Sequence, residues 1–160
     1  MHKLVDDVHP YSPPRWSPTA ALIAVSAGQE CCRWGIYITR SELGSQPHRC
    51  RFNGTSGADT IHGSQYFDLV NGLGGSDVIY GLGGNDKISG NGGNDTIYGG
   101  AGNDFILAGP GNDRILGGPG NDTIIGGNGV DRIDCGPGND TVKGAGPRDV
   151  IAHNCEHVRH

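Results

Sequence analysis

From Gly54 onward the chain sets one β-branched apolar residue among polar and glycine positions at every ninth place. The series is Ile61, Val70, Ile79, Ile88, Ile97, Ile106, Ile115, Ile124, Ile133, Val142 and Ile151. Each follows an aspartate by two residues: Asp59, Asp68, Asp77, Asp86, Asp95, Asp104, Asp113, Asp122, Asp131, Asp140 and Asp149. Eleven units thus run in phase across residues 54–152. An aliphatic β-branched residue at each such place predicts a short strand with one side chain pointing inward. Glycine stands two residues before the aspartate in nine of the eleven units, and five before it in nine, the exceptions there being Ala108 and Cys135. Glycines so placed predict a turn that needs positive φ or close backbone approach. Asn85, Asn94, Asn103, Asn112, Asn121 and Asn139 directly precede their aspartates, and asparagine tolerates the left-handed region better than other side chains. Each unit reads as a six-residue turn and a three-residue strand.

One unit cannot bury its single apolar residue alone, so successive units must stack, and a turn in every unit reverses the chain to give two units per coil. The predicted fold class is all-β: a flattened, right-handed parallel β-roll, or β-helix solenoid, of eleven nonapeptide repeats with a short irregular N-terminal segment. At ~4.8 Å per strand, five and a half coils make a rod of only ~25 Å. The expected organisation is a segment over 1–53 serving as possible leader and cap of the roll, the roll over 54–152, and a tail over 153–160.

Composition agrees with a thin core. Only 34% of the 160 residues are hydrophobic, and thirty are glycine. The net charge is −5 and no Lys/Arg stripe is present, which argues against nucleic acid as a partner. No apolar run approaches the ~20 residues of a membrane-spanning helix. Thr19–Ala27 has the apolar character of a short signal-peptide core and ends in a small-x-small site. A cleaved leader and an ordinary buried segment both fit it.

The acidic excess is patterned. Alternation places Asp59, Asp77, Asp95, Asp113, Asp131 and Asp149 along one edge and Asp68, Asp86, Asp104, Asp122 and Asp140 along the other. Carboxylates stacked at one strand spacing repel and oppose folding unless a cation lies between them. Ligands limited to carboxylate and carbonyl oxygen select a hard ion, and the flexible shell of Ca²⁺ fits better than the octahedron of Mg²⁺. The candidate ligands are Asp59, Asp77, Asp86, Asp95, Asp104, Asp113, Asp122, Asp131 and Asp140. Turn carbonyls complete each shell, with Gly81, Gly83, Gly90, Gly92, Gly99, Gly117 and Gly126 as their carriers. The gaps between aspartates set a ceiling of nine inter-turn sites. Tyr66 and Phe67 before Asp68, and Pro147 and Arg148 before Asp149, depart from the pattern and weaken the gaps Asp68/Asp86 and Asp131/Asp149.

Units such as Gly99-Gly100-Ala101-Gly102-Asn103-Asp104-Phe105-Ile106-Leu107 and Gly117 to Ile125 resemble the RTX, or hemolysin-type calcium-binding, nonapeptide. The resemblance covers 99 of 160 residues. It implies a parallel β-roll, Ca²⁺ held between a turn and the one a coil further on, and an exported protein that orders outside the cell. The function expected is calcium binding that drives folding, without enzymatic activity. The alternatives are the calcium-folding module of a secreted hydrolase, and an adhesion or interaction module.

Five cysteines in a small repeat protein favour oxidising surroundings and a secreted location. Cys135 opens the tenth unit and Cys155 follows the last, so a bridge between them would clamp the C-terminal end. Cys50 can pair with Cys31 or Cys32. Residues 33–40 are expected to form a strand that caps the first coil. Outward Val78, Tyr80, Tyr98 and Leu116 on one face, and Phe105, Leu107 and Ile125 on the other, make apolar patches open to a protein or cell-surface partner. His153-Asn154-Cys155-Glu156-His157 matches the H-x-x-E-H string of some zinc peptidases, but so short a tail leaves no room for the fold that string needs.

Overall fold

The computed structural model describes residues 21–23 and 49–160, all of whose regular structure is β-strand. In chain order the strands are β1 (Ala21–Ile23), β2 (Cys50–Asn53), β3 (Asp59–His62), β4 (Asp68–Asn71), β5 (Val78–Tyr80), β6 (Lys87–Ser89) and β7 (Thr96–Tyr98). There follow β8 (Phe105–Pro110), β9 (Arg114–Leu116), β10 (Thr123–Asn128), β11 (Arg132–Asp134), β12 (Thr141–Lys143), β13 (Val150–Ile151) and β14 (His157–Arg159). The odd strands form one seven-stranded sheet in sequence order and the even strands form the other. Pairing is parallel, and from β2 to β13 each residue stands opposite the one eighteen further on, as in Ile79↔Ile97 and Ile88↔Ile106. A shift of eighteen is two nonapeptides. The chain therefore makes a two-faced parallel solenoid, in which each unit contributes a strand to one sheet and the next unit a strand to the other.

The β-branched residues meet in a single file between the sheets. Ile61, Ile79, Ile97 and Ile115 from one face and Ile106, Ile124 and Val142 from the other are fully buried. Each such side chain contributes about 1.5–3 kcal/mol when withdrawn from water, but a unit offers only one. Phe52 continues the file at one end, and half-buried Ile151 and Val158 close it at the other.

The sheets extend past the nonapeptides. Cys50–Asn53 pairs with β4 in the register Cys50↔Asp68 and Phe52↔Val70. Ala21–Ile23, from the apolar stretch of the N-terminal segment, pairs with β3. The strand expected over residues 33–40 lies outside the described residues, as do Cys31 and Cys32. Cys50 is disulfide-bonded. A second disulfide joins Cys135 to Cys155, twenty residues apart, and so ties the tail to the last coils. On the outer face of the odd sheet His62 stacks on Tyr80 and Tyr80 on Tyr98, with ring centroids 4.7 and 4.9 Å apart. Phe105 and Leu107 are exposed on the outer face of the even sheet.

Candidate metal centre

Alternation along the strand turns every second side chain inward, and in this repeat the inward set is the aspartate, the isoleucine and the residue that opens the next turn. The aspartates are consequently interior groups: Asp59 through Asp140 in the series are at most 4% exposed. They stand in the two columns that alternation predicts. Within a column, Oδ1 of each aspartate accepts the backbone N–H of the aspartate one coil earlier. The bonds run from Asp59 N to Asp77 (2.8 Å), Asp77 N to Asp95 (2.9 Å) and onward to Asp149. In the other column they run from Asp68 N to Asp86 (2.8 Å) and onward to Asp140.

The second oxygen divides the aspartates into two classes. Oδ2 of Asp77, Asp86, Asp95, Asp104, Asp113, Asp122, Asp131 and Asp140 is buried and has no hydrogen-bond partner. Oδ2 of Asp59 accepts the N–H and hydroxyl of Thr55 at 2.5 and 3.0 Å, and Oδ2 of Asp68 accepts those of Ser64 at 2.6 and 3.1 Å. Oδ2 of Asp149 accepts the N–H of Gly146 at 2.7 Å. Thr55 and Ser64 each stand four residues before their aspartate. In the eight units with an orphaned oxygen that same position has positive φ: Leu73, Leu82, Asn91, Gly100, Gly109, Gly118, Gly127 and Gly136. The left-handed turn and the orphaned oxygen occur together in all eight. For Leu73 and Leu82 this conformation costs about 1–2 kcal/mol, and strain of that kind gathers at functional turns.

The glycine that opens the turn provides a cradle for the orphaned oxygen. A Cβ placed on Gly99 would lie 2.5 Å from the carbonyl oxygen of Gly117, one coil on, and 2.7 Å from Asp104 Oδ2. On Gly117 it would lie 2.5 Å from both Cys135 O and Asp122 Oδ2. Gly81 and Gly90 are hemmed in likewise, and Gly126 by Asp131. Gly83 and Gly92, two residues further along their turns, sit in the isolated bridges Gly83↔Ala101 and Gly74↔Gly92, and a Cβ on Gly92 would meet nothing within 4 Å.

Burial of carboxylates raises their pKa. Burial, added to by Asp104 and Asp68 in the same column and partly offset by the Asp68 N–H, pushes Asp86 up to about 8. The same balance takes Asp104 to about 7, and Asp77, Asp113 and Asp122 to about 6. Asp68, Asp95, Asp131 and Asp140 are raised as well, burial again being the main cause. No three His, Cys, Asp or Glu side chains converge on one point among the described residues, so a cation held here would draw on backbone carbonyls as well as carboxylate. That donor set, all oxygen, buried, negative and short of partners, fits a hard divalent ion.

Several contributors are not conspicuous in the sequence. The asparagines before the aspartates are not left-handed, contrary to expectation; they form a ladder outside the carboxylate columns. Asn103 N–H donates to Asn85 Oδ1, Asn112 to Asn94, Asn121 to Asn103 and Asn139 to Asn121, at 2.8–2.9 Å. Thr55 and Ser64 were signalled only by a hydroxyl where the next eight units carry Leu, Asn or Gly. The H-x-x-E-H string folds as a turn followed by β14, not as a helix, so its two histidines cannot share a helix face.

The family model of the RTX calcium-binding nonapeptide repeat matches four overlapping stretches, residues 53–88, 72–106, 81–115 and 107–142. Together they take in more than half of the chain. No curated protein and no solved structure matches it. On its repeats and on the two-faced solenoid they build, the chain belongs to the RTX calcium-binding nonapeptide-repeat family.

Proposed function

We propose that the two interior columns bind several calcium ions and that this binding folds the chain. The observation that carries the reading is the set of eight buried carboxylate oxygens without partners, one in each unit whose turn is left-handed four residues before the aspartate. A buried, unpaired carboxylate costs several kcal/mol, and eight of them oppose a core that has one aliphatic side chain per unit. Ca²⁺ bound to Asp77, Asp86, Asp95, Asp104, Asp113, Asp122, Asp131 and Asp140, with turn carbonyls such as those of Gly99 and Gly117, removes that cost, so binding energy becomes folding energy. Asp68 and Asp149 have both oxygens satisfied within the chain, Asp59 has its Oδ2 satisfied by Thr55, and the three serve as column ends.

Extracellular calcium modules bind with dissociation constants of about 10⁻⁴–10⁻³ M. A chain of that affinity stays open at cytosolic calcium and orders after export, and two disulfide-bonded positions, Cys50 and the Cys135–Cys155 pair, favour the same oxidising compartment. The role is non-enzymatic. Equilibrium dialysis of the chain against Ca²⁺ with excess Mg²⁺ tests the reading: several calcium ions retained per chain support it, and none retained overturns it.

A further inference from the structure

Beyond the last nonapeptide the chain sets one more carboxylate into a column. Strand β14 pairs with β12 in the register Thr141↔His157, Val142↔Val158 and Lys143↔Arg159, which brings Glu156 opposite Asp140 and Val158 opposite Val142. Glu156-His157-Val158-Arg159 thus repeats Asp-x-Ile-x with a longer acid. It is reached seven residues after Asp149 instead of nine, so the periodicity does not reveal it, and it lies past the stretch matched by the family model, which ends at residue 142. Glu156 Oε2 accepts the Asp140 N–H at 2.8 Å. Every aspartate after the first in its column makes this bond to the aspartate before it.

A second observation is independent of that bond. Oδ2 of fully buried Asp140 has no partner, and Gly136, four residues before Asp140, has the left-handed backbone of the other orphaned units. In the interior units the orphaned oxygen shares its cradle with a carbonyl of the following coil, as Asp104 Oδ2 does with Gly117 O beside Gly99. For Asp140 the following coil is the one that ends in Glu156. Cys155, bonded to Cys135, pins the backbone immediately before Glu156.

We infer that Glu156 is a further calcium ligand, which with Asp140 forms a terminal site on the even column that the nonapeptide motif does not encode. The inference rests on the calcium reading above. Because Glu156 is exposed, this site opens to solvent at the end of the roll.

The test is the number of calcium ions held by the full chain, wild type against Glu156→Gln, by equilibrium dialysis and elemental analysis. Glutamine keeps an oxygen for the Asp140 N–H and loses the charge. One ion fewer per variant chain, with an unchanged circular dichroism spectrum in saturating Ca²⁺, is the expected result. Equal counts overturn the inference and leave the calcium reading intact, whereas a wild type that holds no calcium overturns both. A measurement on the wild type guards against a variant that does not fold. The chain has three glutamates, Glu30, Glu42 and Glu156, so selective ¹³C labelling gives three side-chain carboxylate signals, with Glu156 assigned by elimination using Glu30→Gln and Glu42→Gln. Because folding alone moves this signal, the comparison is made within the folded roll: a shift of the Glu156 signal when La³⁺ replaces Ca²⁺, larger than those of Glu30 and Glu42, supports the inference, and a signal unmoved by the exchange overturns it.

Discussion

Asp104 shows how one side chain serves two opposed purposes. Its Oδ1 accepts the Asp86 N–H at 2.8 Å and holds one coil to the next, while its Oδ2 is buried without a partner. The first role needs only an oxygen; the second is a cost unless a cation is present. Asp104→Asn separates them, because the amide retains the acceptor and removes the buried charge. The expected outcome is a chain with more β-structure in chelator than the wild type, yet with calcium affinity lowered about tenfold or more, the equivalent of ~1.4 kcal/mol. Circular dichroism in chelator and a calcium titration check the two halves. A purely structural aspartate, acting through Oδ1 alone, would leave calcium affinity unmoved.

At the scale of the turn, glycines that look alike in the sequence have different duties. Gly99 opens its turn facing the interior, where a Cβ would collide with Gly117 O and Asp104 Oδ2, whereas Gly92 has open space around it. Gly99→Ala should destabilise the calcium-loaded roll by about 1–3 kcal/mol, the usual cost of forcing atoms into a packed site. Gly92→Ala should stay within about 0.5 kcal/mol of wild type. Denaturant unfolding in saturating Ca²⁺ measures both. The periodic glycines, the Ile file and the two columns were legible because each depends on position within nine residues, which a single sequence displays directly. What it does not display is which oxygen of each aspartate is satisfied. That depends on the φ of a residue four places earlier, and Leu73 and Leu82 give no compositional sign of a left-handed backbone. The asparagine ladder was hidden for a related reason: asparagine favours both left-handed turns and side-chain hydrogen bonds, and only the stacked coils decide between them. Glu156 was masked by a shortened connection that breaks the period.

Over the whole molecule the two carboxylate columns link folding to pH as well as to metal. Unfolded aspartates titrate near 3.9, whereas burial pushes Asp77, Asp113 and Asp122 up to about 6, Asp104 to about 7 and Asp86 to about 8 in the folded, metal-free chain. Between those values the folded state binds more protons than the unfolded one, so metal-free stability falls as pH rises. It is greatest below about pH 4 and is lost progressively through about pH 8. In chelator, β-content should therefore be higher at pH 5 than at pH 8. In calcium the order reverses, because protons compete with the ion for the same oxygens. Spectra at the two pH values, with and without Ca²⁺, check the crossing. The central claim, that cations in the columns fold the roll, is met most directly by far-UV circular dichroism of the purified chain at pH 8, titrated from chelator with Ca²⁺ and in parallel with Mg²⁺. The account predicts a cooperative transition from coil to β near millimolar Ca²⁺ that Mg²⁺ does not produce. Identical β spectra with and without Ca²⁺, in protein shown by elemental analysis to be free of metal, would contradict it.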